Sequence, residues 1–293
     1  MGAFQGLGDV LRSRFSIVPP TPDSETPLPA PCAICGGIEW LRRDVPLQDP
    51  AFVAGVRVYA GSAEQRQQIA YEIMKDPAYV VGLQGSGSAA GLVVAALGAD
   101  GNKFYEVGKT VKQAAYDVQK QAWSKSDIVG RDLRLSQAKT LSATPVVGDV
   151  AETARLQQAT LGSPTLGLTG APITPPFTPV VIRSLAVAAL AILGHASEPN
   201  LETINAIMVE PNIASCANMA KLNLYQCLAV AKPHYEDVFC LGQHAMMDTA
   251  RCVIKASGLP EPYEARFVPT VRPNATYKVT PPKKPAKKPA KKR

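Results

Sequence analysis

Aromatic residues are scarce in this chain. Phe, Tyr and Trp make up 6% of the 293 positions, and only two are Trp. That argues against an extended stacking platform for single-stranded nucleic acid, which needs ring after ring along a groove. Charged residues, at 19%, are slightly few for a soluble protein. No window reaches the roughly 18 continuous apolar residues of a membrane span. The longest apolar stretches, Gly91 to Ala99 and Leu185 to Leu193, fit buried helices instead. The start, Met1-Gly-Ala-Phe-Gln-Gly, lacks a charged segment followed by an apolar one, so no Sec-type signal is visible. Gly6 stands where a myristoylation site wants Ser or Thr. There are only three histidines, His195, His234 and His244, all in the C-terminal part. No motif identifies a reaction, and whether the protein is an enzyme stays open. The sequence calls for no cofactor and no metal.

What is present bounds the fold. A hydrophobic content of 46% is enough to bury a sizeable core. The net charge of +7 is local. The last eleven residues carry Lys283, Lys284, Lys287, Lys288, Lys291, Lys292 and Arg293 and no acid, and without those seven the remaining 24 basic residues balance 24 acidic ones. The body is therefore neutral, and the basic character belongs to a tail of low complexity. Its prolines and like charges predict an extended, disordered polyanion-binding segment or a solubilising one.

The pattern reads as mainly α: a helical bundle with a C-terminal antiparallel helical hairpin. Residues 1–50 form a Pro-rich N-terminal segment with a short amphipathic start, and 51–161 a mostly helical N-terminal domain. A Pro/Gly/Thr linker spans 162–179, a helical domain 180–258, and the basic tail 259–293. The first clear helix opens at Ser62, where Ser62-Ala-Glu-Gln65 is a capping box, and stops at Pro77. A second covers about Val107 to Trp123, a third Arg131 to Leu141. Val180 to Leu193 is almost wholly apolar and predicts a central core helix ending at Gly194. The one β element that the pattern admits is a small sheet over 52–59 and 79–83.

Four cysteines sit in two nested pairs around Lys232-Pro233-His234: Cys216 and Cys252 outside, Cys227 and Cys240 inside. Two helices folded back at a proline turn would bring facing cysteines together at two levels. Three readings are open: a disulfide-stapled hairpin, buried free thiols, or a zinc site from Cys227, His234, Cys240 and His244. Cys216 and Cys227 are eleven residues apart and share a helix face, but Cys240 and Cys252 are twelve apart, about 120° out of phase on an ideal helix. The second arm must rotate or cross obliquely for both bonds to form. Over about 40 residues the layout resembles the coiled-coil-helix-coiled-coil-helix proteins, whose helical hairpins carry twin cysteine pairs, although the intervening spacings of ten and eleven residues exceed that family's. The resemblance implies the pairing Cys216–Cys252 and Cys227–Cys240, and no function. Cys32-Ala-Ile-Cys35 is a separate pair, read as a local disulfide.

Two constellations could carry chemistry. His244 and Asp248, at i and i+4, face one side of a helix, and an Asp-oriented His is what a general base needs or what a satisfied polar pair needs. His234 with Glu236 is a second candidate, although Glu236 and Asp237 also suit a helix first turn. Gly85-Ser-Gly-Ser-Ala-Ala90 matches a loose dinucleotide loop, without the surrounding strands that such a loop requires. Taken together, the residues predict an exported or injected, disulfide-stabilised, effector-like protein acting at an anionic envelope or polymer. A delivery or immunity protein is its expected partner. The alternatives are a hydrolase toxin using His244 and Asp248 on cell wall or nucleic acid, and a cytoplasmic nucleic-acid-associated protein led by the tail.

Overall fold

The computed structural model describes residues 44–143, 150–162 and 166–264. Among these, the chain forms ten α-helices, several short 3-10 turns and one π-helical segment, and no strand. The fold is mainly α. The small sheet expected over 52–59 and 79–83 is replaced by helix at both places, and the cause is local. Asp49 precedes Pro50, its side chain accepts the Phe52 amide at 2.7 Å, and α1 (Pro50–Arg57) begins. Asp76 precedes Pro77, accepts the Ala78 amide at 2.9 Å, and a 3-10 helix runs Pro77–Gly82. An acidic cap followed by proline sets the helical entry, and it overrides the β-branched content that follows.

Between them α2 (Ala63–Lys75) starts where Ser62 Oγ accepts the Gln65 amide at 3.1 Å and stops before Pro77. Helix α3 (Ser86–Val118) is one element of 33 residues. The sequence suggests two separate helical runs here, because Gly98 and Gly101 interrupt the pattern. Packing keeps them helical. A side chain at Gly98, Gly101 or Gly108 would collide with Leu259, Ile254 or Met247, so these glycines form the flat side on which later helices lie. The glycine loop at 85–90 follows a 3-10 helix, not a strand, and a dinucleotide reading loses its context. Gly85 has φ +81, and a Cβ there would lie 2.3 Å from the Phe52 nitrogen; both facts require glycine.

The remaining helices are α4 (Arg131–Ala143), α5 (Val150–Ala159), α6 (Pro179–Ile192), α7 (Leu201–Met208), α8 (Pro211–Val230), α9 (His234–Cys240) and α10 (Thr249–Ser257). A π-helical segment, Leu241–Asp248, joins α9 to α10. Helix α6 is the axis of the core: Leu185 to Ala191 are wholly buried, as a helix apolar on all sides must be. Phe52, Val56, Ile73, Val80, Leu97, Ile204 and Met208 pack into the same cluster.

The stretch Leu166 to Thr178 is laid along α3 as a strap. The Ile173 amide donates to Gly87 O at 3.0 Å, and the Ala171 carbonyl lies against Gly91 so closely that a Cβ there would be 2.0 Å away. Contacts therefore continue across the boundary that the sequence suggests at 162–179. The described residues up to Pro262 form one compact unit.

Candidate functional site

The C-terminal hairpin is built from α8 and the continuous arm α9–π–α10. Helix α8 opens at Pro211, with buried Glu210 accepting the Ile213 amide at 2.6 Å. It ends at Val230, and Lys232-Pro233 turns the chain. The turn is pinned twice: Ile128 N donates to Lys232 O at 3.0 Å, and Lys232 N donates to Glu236 Oε2 at 2.9 Å.

Helix α4 holds the same end. Arg134 donates to Leu228 O at 2.6 Å and pairs with Asp237 at 2.5 Å, while Arg131 donates to Ala229 O. These arginines satisfy carbonyls in the last turn of α8, where a helix has no partners of its own and carries partial negative charge. Lys221 of α8 returns the service, donating to Ser142 O near the end of α4 at 3.2 Å. Burial raises the Asp237 carboxyl above the usual aspartate value, and the attraction of Arg134 offsets only part of that. Sequence reasoning missed both arginines. Cations at the first and fourth positions of a helix carry no signal of such a role until the antiparallel neighbour is known.

The sulfurs are joined as Cys216–Cys252, with Cα atoms 5.8 Å apart, and Cys227–Cys240, at 5.6 Å. Their sulfurs are therefore neither free thiols nor zinc ligands, and the zinc set of Cys227, His234, Cys240 and His244 is ruled out. The twelve-residue spacing on the second arm is reconciled with the eleven-residue spacing on α8 by the π segment. A π turn takes up one residue more than an α turn. Twelve residues with one so absorbed behave as eleven, which leaves the two cysteines only about 20° from alignment on an α-helix. Each arm also carries a small buried alanine, Ala220 on α8 and Ala250 on α10.

The π segment also carries His244 and Asp248. The structure brings them together: His244 Nδ1 lies 2.8 Å from Asp248 Oδ2. The other carboxylate oxygen accepts from Gln243 Nε2 at 2.9 Å and from Arg251 at 3.3 Å. Gln243 in turn accepts from Lys112 Nζ at 2.7 Å, and the Arg251 guanidinium stands 5.4 Å from the centre of the Tyr105 ring. A polar chain thus runs from α3 across the π segment to α10. Burial alone would raise the Asp248 carboxyl. The hydrogen bonds from His244 and Gln243, with the His244 and Arg251 charges, outweigh that and hold it below the usual aspartate value. Such an ionised carboxylate fixes the imidazole orientation as a general base requires. Among the described residues, no hydrogen bond joins a serine, threonine or cysteine to His244.

The second proposed pair is not assembled. His234 is exposed at the start of α9, and the Glu236 carboxylate is turned back to the Lys232 amide; no hydrogen bond joins the two among the described residues. Cys32 and Cys35, and the tail cations from Lys283 to Arg293, lie outside the described residues.

Beside the outer disulfide, a groove of about 490 Å³ opens between α8 and α10. Asn212, Ser215, Met219 and Asn223 line one wall, and Asp248, Arg251 and Lys255 the other. No protein-family model, curated protein or solved structure matches this chain.

Proposed function

We propose that this is an effector-like protein that works outside the cytosol in which it is made, and that it engages an anionic envelope or polymer surface through Lys283–Arg293. One observation carries the reading: two disulfides staple the last two helical arms. Such bonds persist in oxidising compartments and are rare in reducing ones. The tail adds the direction of attraction, with seven cations and no acid in eleven residues attached to a neutral body.

The test is the thiol state of the protein isolated from its native host, by intact mass after alkylation before and after reduction. The expected result is at least four cysteines that become alkylable only on reduction. Six free thiols would remove the support for an extracytosolic life and favour a cytoplasmic protein that binds nucleic acid through its tail.

A second reading is a hydrolase acting on cell wall or nucleic acid, with His244 as general base and Asp248 as its positioning partner. The 2.8 Å contact between them favours it. In that case His244→Ala abolishes the toxicity or hydrolysis that the wild-type protein causes, while the helical signal in circular dichroism is kept. Full activity in that variant would end the reading.

A further inference from the structure

One face of the folded body carries lysines and aromatic rings together. Lys109, Lys112 and Tyr116 of α3 follow one another at helical spacing, and Lys120, Trp123 and Lys125 continue through the turns beyond it. The Tyr116 ring meets Phe239 of α9 edge-on at 6.0 Å between centroids, and Lys112 Nζ lies 5.7 Å from the centre of the Phe239 ring. Trp123 is 57% exposed and Tyr116 49%. The turn that carries Trp123 is held in place, because buried Ser124 donates to Gln121 O at 2.9 Å and to Val118 O at 2.5 Å. The acids along this stretch are Glu106, 3.0 Å from Lys109, Asp117, which accepts from Gln113 at 2.9 Å, and exposed Asp127. The lysines outnumber them.

We infer that this ridge is a docking surface for an anionic lipid bilayer. Trp and Tyr have an apolar body and a polar tip, so they reside at the headgroup level, where one end is dry and the other wet. Lysine stems can lie along the acyl boundary while the ammonium groups reach anionic headgroups. Tyr116, Trp123, Lys109 and Lys120 stand exposed along a helix and the turns beyond it, which suits a sheet of headgroups. Each lysine near such a surface adds attraction that falls off within a Debye length. The tail would bring the protein to the surface and the ridge would orient it there. The inference rests on the surface-docking reading for the sign of the surface charge.

The chain has two tryptophans, so Trp40→Phe leaves Trp123 as the only indole emitter. The full-length variant is mixed with vesicles of equal parts phosphatidylcholine and phosphatidylglycerol, or of phosphatidylcholine alone, and both sedimentation and emission are read. With the anionic vesicles the protein should sediment, emission should shift to the blue, and brominated acyl chains should quench it. Adding Lys109→Gln and Lys120→Gln should lower partitioning roughly ten- to thirty-fold. A chain ending at Thr280 should still shift at low salt, at higher lipid concentration.

Sedimentation with unshifted, unquenched emission would mean that the tail binds alone, and would overturn the ridge while sparing the tail. Loss of the shift at every lipid concentration in the shortened chain would overturn it as well. Neither sedimentation nor shift with the intact chain would remove bilayer binding by tail and ridge together. A shift with oligodeoxythymidylate and none with vesicles would reassign the ridge to nucleic acid. If Trp40→Phe fails to fold, Trp123→Phe in the natural background reads the same difference as a missing shift.

Discussion

Asp248 is the residue on which the polar chain of the hairpin converges, and its titration has a definite sign. Its folded-state value is lowered, so the ionised carboxylate contributes stability above the unfolded value, and that contribution is lost as pH falls through the folded one. Asp237 works in the opposite sense. Its value is raised, so protonation as the pH falls relieves a cost of the ionised form. A comparison of variants separates the two. Asp248→Asn should be less stable than the wild-type protein at neutral pH by roughly 1.5–3 kcal/mol, the range for hydrogen bonds to a charged group. The difference should shrink as pH passes below the ordinary aspartate value of 3.8. Urea midpoints across that range check it, and a difference independent of pH would show that charge contributes nothing there. That His244 and Asp248 meet follows from their i, i+4 spacing and could be read in advance. Arg251, at i+3 from Asp248, is a neighbour by the same rule, but that Lys112 joins through Gln243 could not be read, because the two stand 131 residues apart.

At the scale of elements, caps were legible and glycines were not. Ser62, with Gln65 three residues on, announces α2, and Pro77 ends it, because those signals act within one turn. Gly91, Gly98, Gly101 and Gly108 look like interruptions in a sequence and are contact points in the fold. Their meaning depends on segments more than 70 residues further along. Gly91→Ala tests this. In an exposed helix the change would stabilise by about 0.5–1 kcal/mol, because alanine is the better helix former. Here the new Cβ would sit 2.0 Å from the Ala171 carbonyl oxygen and 2.8 Å from its carbon, both backbone atoms that cannot rotate aside. The strap must move, and the expected result is a loss of about 1–3 kcal/mol, measured by thermal or urea unfolding. A gain in stability would show that Leu166 to Thr178 is not held against α3.

Across the whole molecule, what the sequence conveyed best was periodicity and worst was adjacency. The all-round apolar run at 180–193 predicts a helix at the centre, and Leu185 to Ala191 are indeed sealed from solvent. The Gly, Pro and Thr composition of 162–179 reads as a linker because those residues avoid regular structure. Yet glycine and proline serve equally well where a strap must approach a helix backbone. The body's charge balance could be summed from the sequence, and so could the helical spacing of Lys109, Lys112, Tyr116 and Lys120, but not the ring of Phe239 from α9 that meets Tyr116. The π segment makes the second arm one residue longer than α8 between its two sulfurs, and this has a consequence for inheritance. Loss of a single codon between Cys240 and Cys252 would leave two arms of equal length with both sulfur pairs still opposed. The same loss between Cys216 and Cys227 would swing one sulfur about 100° around its helix and out of reach. Small insertions and deletions are therefore not equivalent along this hairpin: one arm has a spare residue to give up, and the other has none.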